Sequence, residues 1–317
     1  MTRIGRTTRR AIAVALAVGT MLAGLAPASN ASIAPRKGIL FGTHISPRWG
    51  DQGDSIRRTE SMLGRKFDIT HRYHGFTDTF YRPELNWTRE GRVPMASWRA
   101  TKLIPDSHRA AKIARGVYDR NIRSIARAMK TVPGPLLVRF AFEMTQAPGR
   151  IQYIGTARHF IAAWRHVVRI FEAVGARNVR WVWDPQANAF CNGRAQSYYP
   201  GDKFVDWIAG TAIPREAADK SFKELFSCLY RWGARRGKPL MAQTGVVEIP
   251  GRPGWKANWM YGMRSTLKTM PKIKALVYYN SKKRLTNYWA DTSSSSWRSY
   301  KAMACDGYFN PYRRPGC

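Results

Sequence analysis

The sequence predicts an α/β protein folded as a single (β/α)8 barrel, and three observations carry the prediction. Eight short apolar runs bounded by turn residues read as strands. Most are separated by stretches of helical periodicity, the alternation that a parallel barrel requires. A chain of 317 residues with 44% hydrophobic content, including 12 Trp, 14 Tyr and 13 Phe, holds enough for one full core. Barrels of this class take about 250 residues.

In order, the strands are expected at 39–45, 67–73, 93–98, 136–144, 179–183, 204–208, 238–242 and 273–279. The fourth, L-L-V-R-F-A-F-E-M, follows a Pro-Gly-Pro turn and is apolar apart from Arg139 until it ends on an acid. Side chains alternate along a strand, so Leu137, Arg139, Ala141 and Glu143 share one side. Glu143 then stands at the carboxyl rim, where such barrels build their active sites. The plainer role for it is to neutralise nearby arginines. Helical patterns fill 106–130, 157–174, 221–235 and 259–270. The first carries Ile113, Val117, Ile122, Ile125 and Met129 near one stripe; the second buries Phe160, Ile161, Trp164, Val167, Val168 and Phe171. The tail beyond Asn280 is rich in Ser and Arg without periodicity. The expected organisation is an export signal over 1–31, a barrel over 32–290 and a tail over 291–317.

Charge is the anomaly. The net value is +33, and +29 once the four arginines of the first 31 residues are set aside. Such a field draws anionic polymers, among them acidic polysaccharides, nucleic acid and cell-wall phosphates; a general basic bias that aids solubility is the duller account. The stripe Arg115, Arg123, Arg127 and Lys130 reads as a solvated helix face. Arg3, Arg6, Arg9 and Arg10 precede an apolar run from Ala11 to Leu25, and small residues near Ala28 and Ala31 suit cleavage. A secreted protein, with no membrane anchor in its mature form, is expected. Cys191, Cys228, Cys305 and Cys317 are even in number with no Cys-x-x-Cys pair, so disulfides are favoured over a metal site. Of three pairings, Cys191–Cys228 with Cys305–Cys317 is preferred, because the second clamps the tail.

Four segments, in order over about 38–280, carry a resemblance to a known family. Leu136 to Met144 resembles the acid/base strand of glycoside hydrolase family 26, the β-mannanases and related β-glycanases. Trp181-Val182-Trp183-Asp184-Pro185 resembles its W-V-W-x-P strand. Tyr198-Tyr199-Pro200-Gly201-Asp202, running into Val205-Asp206-Trp207, resembles its Y-Y-P-G-D…V-D-W segment. Lys238-Pro239-Leu240-Met241-Ala242 resembles its K-P-x-M-x-E strand. The resemblance implies a retaining endo-β-glycosidase with carboxylates on strands four and seven and no cofactor. A retaining pair needs one acid to protonate the leaving oxygen and one carboxylate to attack the anomeric carbon, about 5–5.5 Å apart.

Glu143 matches the acid/base position. The nucleophile position holds Gln243, which cannot ionise and offers no negative charge to an oxocarbenium-like transition state. Asp184 and Glu248 are candidate replacement carboxylates; a turn-capping aspartate and a loop acid are their ordinary roles. Phe142, Thr145 and Gln146 also depart from the family, which has His before the acid/base and Asn-Gly after Glu-Met. His44, His71 and His74 lie near strand ends, although a separation of three points His71 and His74 apart. Trp98, Trp183, Tyr199, Trp255 and Trp259 are candidate sugar-stacking residues, with core filling the alternative for many tryptophans. Three functions stay open: a monomeric hydrolase of a mannan-like or related β-glycan, a glycan-binding protein that has lost its nucleophile, and a basic binder of anionic polymers. No specific nucleic-acid partner is expected.

Overall fold

A computed structural model of the chain describes residue 1 and residues 33–78, 82–100, 108–148, 150, 152–214, 220–313 and 316. The expected export signal beyond Met1, the Asp106 start of the first helix and Cys317 lie outside the described residues. The described chain from Ile33 onward is one compact unit.

Eight strands close a parallel barrel: β1 Leu40–Ile45, β2 Ile69–His74, β3 Val93–Trp98, β4 Leu136–Phe140, β5 Val179–Trp183, β6 Trp207–Thr211, β7 Leu240–Thr244 and β8 Ile273–Asn280. β8 closes on β1 in continuous register from Leu40↔Ala275 to Ile45↔Asn280. The surrounding helices are α1 Gln52–Leu63, α2 Arg82–Arg89, α3 Arg109–Ala114, α4 Asp119–Lys130, α5 Ala157–Val174, the single turn α6 Arg194–Ser197, α7 Phe222–Gly233, α8 Trp255–Lys268 and α9 Ser294–Ala304.

Local chemistry sets the boundaries. α5 starts where the Thr156 side chain accepts from the His159 amide and stops at Gly175, whose φ of 76° lets the chain enter the left-handed region. The long helix expected over 106–130 is instead two, α3 and α4, with Gly116 at φ 84° between them. β4 is shorter than expected. It leaves the ladder after Phe140, because Ala141 and Glu143 take φ of 43° and 55°. β6 begins three residues late, since Asp202–Phe204 forms a 3-10 turn and the Asp206 carboxylate accepts from the Trp181 amide.

Strand parity divides the core in two. Leu40, Ile69, Met95, Leu137, Val182, Trp207, Ala209, Met241, Ala275 and Val277 point inward and pack the barrel's lower interior. Their outward neighbours, including Phe41, Trp98, Phe140 and Trp183, pack against the helices. Extending the inward positions by two or four residues gives His44, His71, Tyr73, Ser97, Arg99, Arg139, Asp184, Thr211, Gln243 and Tyr279. The barrel interior is thus apolar below and polar at its carboxyl-end mouth.

Candidate functional site

Arg139 ties the mouth together. It is 1% exposed. Its Nη1 donates to Asp184 at 2.6 Å and to Thr211 Oγ1 at 3.3 Å, and its Nε donates to Ser97 Oγ at 2.8 Å. Its ring neighbours are Phe142 and Tyr73, whose centroids lie 4.1 and 5.8 Å from the guanidinium carbon. Thr211 in turn donates to Asp184 at 3.0 Å. The buried charge is therefore paired and hydrogen-bonded on several sides, the condition under which burial is tolerated.

Asp184 is fully buried. Burial pushes its carboxyl up to about 6, against the pull of the Arg139 guanidinium, and the Glu143 charge adds to the rise. A carboxylate already engaged by Arg139 and Thr211 is poorly placed to attack a sugar. It does a second job through its backbone: its carbonyl accepts from the Glu143 amide at 2.7 Å. That bond, with the Ala141 amide donating to the Trp98 carbonyl at 2.9 Å, holds two left-handed non-glycine residues in place. Such residues cost on the order of 1–3 kcal/mol each and persist where surrounding contacts over-determine them. Glu143 thus reaches the mouth through a tight turn, and not as the last residue of a regular strand. Its carboxylate is half-buried and accepts from Gln146 Nε2 at 2.8 Å.

The histidines are neutral parts of the same wall. His44 Nδ1 donates to the His71 carbonyl at 3.0 Å, which leaves Nε2 as the acceptor. Ser97 Oγ accepts from Arg139 Nε and is hydrogen-bonded to His71 Nε2. Burial lowers His44 to about 4 and holds His71 well below its ordinary value, and Arg139 adds to both. His44 stacks on Tyr279 at 5.2 Å and meets Tyr73 edge-on at 4.8 Å. Tyr73 and Tyr279 are half-buried, so they present aromatic surface at the mouth.

Gln243 is 5% exposed. It is the last residue but one of β7, in register with Thr211 on β6 and Val277 on β8. Its Nε2 has no hydrogen-bond partner among the described residues.

The structure brings His44, Glu143, Asp184 and Gln243 to one mouth. Other expected residues lie elsewhere. His74 points outward and binds buried Glu84 at 2.8 Å. Trp98 and Trp183 occupy outward positions with no exposed surface and fill the layer beneath the helices. Tyr199 packs on Trp183 and Trp232 in that same layer, with its hydroxyl on Asp202. These four are structural, because parity turns them away from the interior or packing closes over them. Trp255 opens α8 half-buried, and Trp259 is buried with Nε1 on the Lys220 carbonyl. Glu248 is taken up by Thr292 and Ser293. Residues that the sequence reading passed over are Tyr73, Ser97, Arg99, Thr211 and Tyr279. Their signal was inward parity at the carboxyl end of a strand, which becomes usable once one residue per strand is known to face inward.

The barrel that carries this mouth matches a known architecture. A β-mannanase of glycoside hydrolase family 26 from Bacteroides ovatus superposes with a TM-score of 0.69 at 20% identity, over 86% of this chain and 90% of that one. The fold is that of the family 26 β-mannanases. An endo-β-1,4-mannanase double mutant from Cellulomonas fimi matches with a TM-score of 0.67 at 14% identity, over 86% of this chain and 71% of that one. A β-mannanase from a protist symbiont of the termite Reticulitermes speratus, solved with a gluco-manno-oligosaccharide, matches at 0.62 and 15% identity, over 86% and 88%. In sequence the chain is 28% identical over 279 residues to Endoglucanase H of Acetivibrio thermocellus. That match covers 81% of this chain but spans only 29% of the relative's length. No protein-family model matches the chain.

The expected Cys191–Cys228 disulfide is present. Among the described residues no helix is long and apolar enough to cross a membrane.

Proposed function

We propose that the protein is secreted and takes a β-linked, mannan-like glycan into the mouth of the barrel, with hydrolysis impaired. The carrying observation is the amide of Gln243 near the end of β7, where the mannanase resemblance calls for the attacking carboxylate. Glu143 supplies the acid/base group of such a site, and Tyr73 and Tyr279 offer faces for sugar rings. The neighbouring carboxylates are engaged: Asp184 by Arg139, Glu248 by hydroxyls. Gln146 on Glu143 and Phe142 over Arg139 depart from the family pattern at the same place. A disulfide suits an oxidising compartment.

Turnover on β-mannan and related glycans tests the reading. Wild type is expected to cleave slowly or not at all while retaining the glycan. Gln243→Glu restores a carboxylate of nearly the same shape, and hydrolysis is expected to rise by orders of magnitude. Adding Glu143→Gln is expected to abolish that gain. The altered surroundings of Glu143 limit how much returns, since a transition state tolerates only about 0.5 Å of misplacement. Efficient cleavage by wild type that Gln243→Glu does not improve would sink the impaired-enzyme reading and favour Asp184, whose raised pKa is the observation on its side.

A further inference from the structure

The mouth carries nitrogen donors that the described protein does not satisfy. Besides Gln243 Nε2, Arg139 Nη2 and Arg99 Nε are buried and without a hydrogen-bond partner among the described residues. All three sit on inward positions at the carboxyl ends of strands. Arg99 and Arg139 flank one aromatic ring, with guanidinium carbons 5.0 and 5.8 Å from the Tyr73 centroid. Arg139 reaches Thr211, the register partner of Gln243. An eight-stranded barrel is only wide enough for its inward side chains to meet, so donors from β3, β4 and β7 converge on a small volume. Buried donors almost always find an acceptor. A guanidinium suits a carboxylate in particular, for which its planar fork is shaped.

The charges at the mouth agree. Arg99 and Arg139 are positive, Glu143 and Asp184 are carboxylates, and His44 and His71 stay neutral because burial lowers both. A glutamate at 243 would add a third carboxylate and repel an anionic sugar. A glutamine removes that charge and presents an N–H instead. A net charge of +33 would steer a polyanionic chain toward the protein. We infer that the glycan held at this mouth carries a carboxylate on its sugar ring, as a uronic acid, received by Arg99, Arg139 and Gln243. The inference rests on the mouth being the glycan site proposed above. It gives the Gln243 substitution a binding role beside the loss of a nucleophile.

The test compares a β-1,4-linked oligomannuronate with the neutral β-1,4-mannooligosaccharide of equal length, which has the same ring with CH2OH in place of the carboxylate. Calorimetric affinities are measured at physiological ionic strength, where surface attraction is largely screened. Wild type is expected to favour the uronate by about tenfold or more. Gln243→Glu and Arg99→Gln are each expected to remove most of that preference, although either lowers a net charge of +33 by only one. Because the readout is a ratio of two ligands on one protein, partial misfolding of a variant cancels. A wild-type preference that both variants retain would assign acidic binding to the overall field and overturn the inference. Equal binding of the two ligands, or a neutral preference, overturns it and leaves the proposed function standing. No binding of either overturns both.

Discussion

Arg139 lies on a strand buried on both faces, where a charge is least expected, and its partners explain why it is tolerated. It spans Ser97, Thr211 and Asp184 and packs beneath Phe142, so three strands and the Glu143 turn depend on it. Arg139→Met fills much of the space but strands Asp184 as a buried unpaired carboxylate. Losing one partner of a buried pair costs about 3–5 kcal/mol. Thermal unfolding of that variant is expected on the order of 10 °C below wild type, and Arg139→Met/Asp184→Asn is expected to recover part of the loss. A single variant as stable as wild type would contradict the role given to the pair. At this scale the sequence was half legible. Motif order located Glu143, Asp184 and Gln243, and parity correctly separated His71 from His74. The same parity failed between Ala141 and Glu143, because left-handed backbone there depends on bonds to β3 and β5 that no local pattern announces.

At the scale of elements, all eight strands were readable as apolar runs between turn residues, with ends shifted by a few positions. The helices were read less evenly. α1 buries Gln52, Ser55, Thr59 and Glu60 beside Ile56 and Leu63, so its apolar stripe is thin, although its Asp51 capping box was available as a start signal. α9 hides in the serine-rich tail for the same reason: its start is set by the Ser293–Ser296 capping box, and its buried face includes a serine. The disulfide Cys191–Cys228 links the segment after β5 to α7 across a separation of 37 residues. In the chain-entropy account a loop of that length contributes about 4 kcal/mol. Replacing both cysteines by serine is expected to lower the denaturant midpoint accordingly. An unchanged midpoint would mean that the covalent link constrains the unfolded chain little.

For the whole molecule, the distribution of charge and protons makes a further prediction. His44, His71 and His74 are all held below their ordinary value, chiefly by burial. Each takes up its proton at a lower pH in the folded protein than in the unfolded chain, where the ordinary value is near 6.5. Their contribution is therefore complete above about pH 6.5 and is lost as pH falls below it; for His44, lowered to about 4, the loss runs down to that pH and amounts to about 3 kcal/mol. Asp184 works in the opposite direction, because its raised carboxyl gains a proton in the folded state before it does in the unfolded one. Three groups against one predict net destabilisation between about pH 6.5 and pH 4, measurable as a falling unfolding temperature. A flat profile over that window would contradict the neutral, buried assignment of the histidines. Composition read the charge, and the alternation of strand and helix patterns the fold class, but neither could place the mouth, because its residues come from all over the barrel and meet only through closure. That mouth is the central claim. The most direct measurement is a crystal structure with a β-1,4-linked mannose or mannuronate tetrasaccharide. The account predicts a sugar ring against Tyr73 and Tyr279, between Glu143 and Gln243; a chain bound on the outer helices with the mouth unoccupied would contradict it.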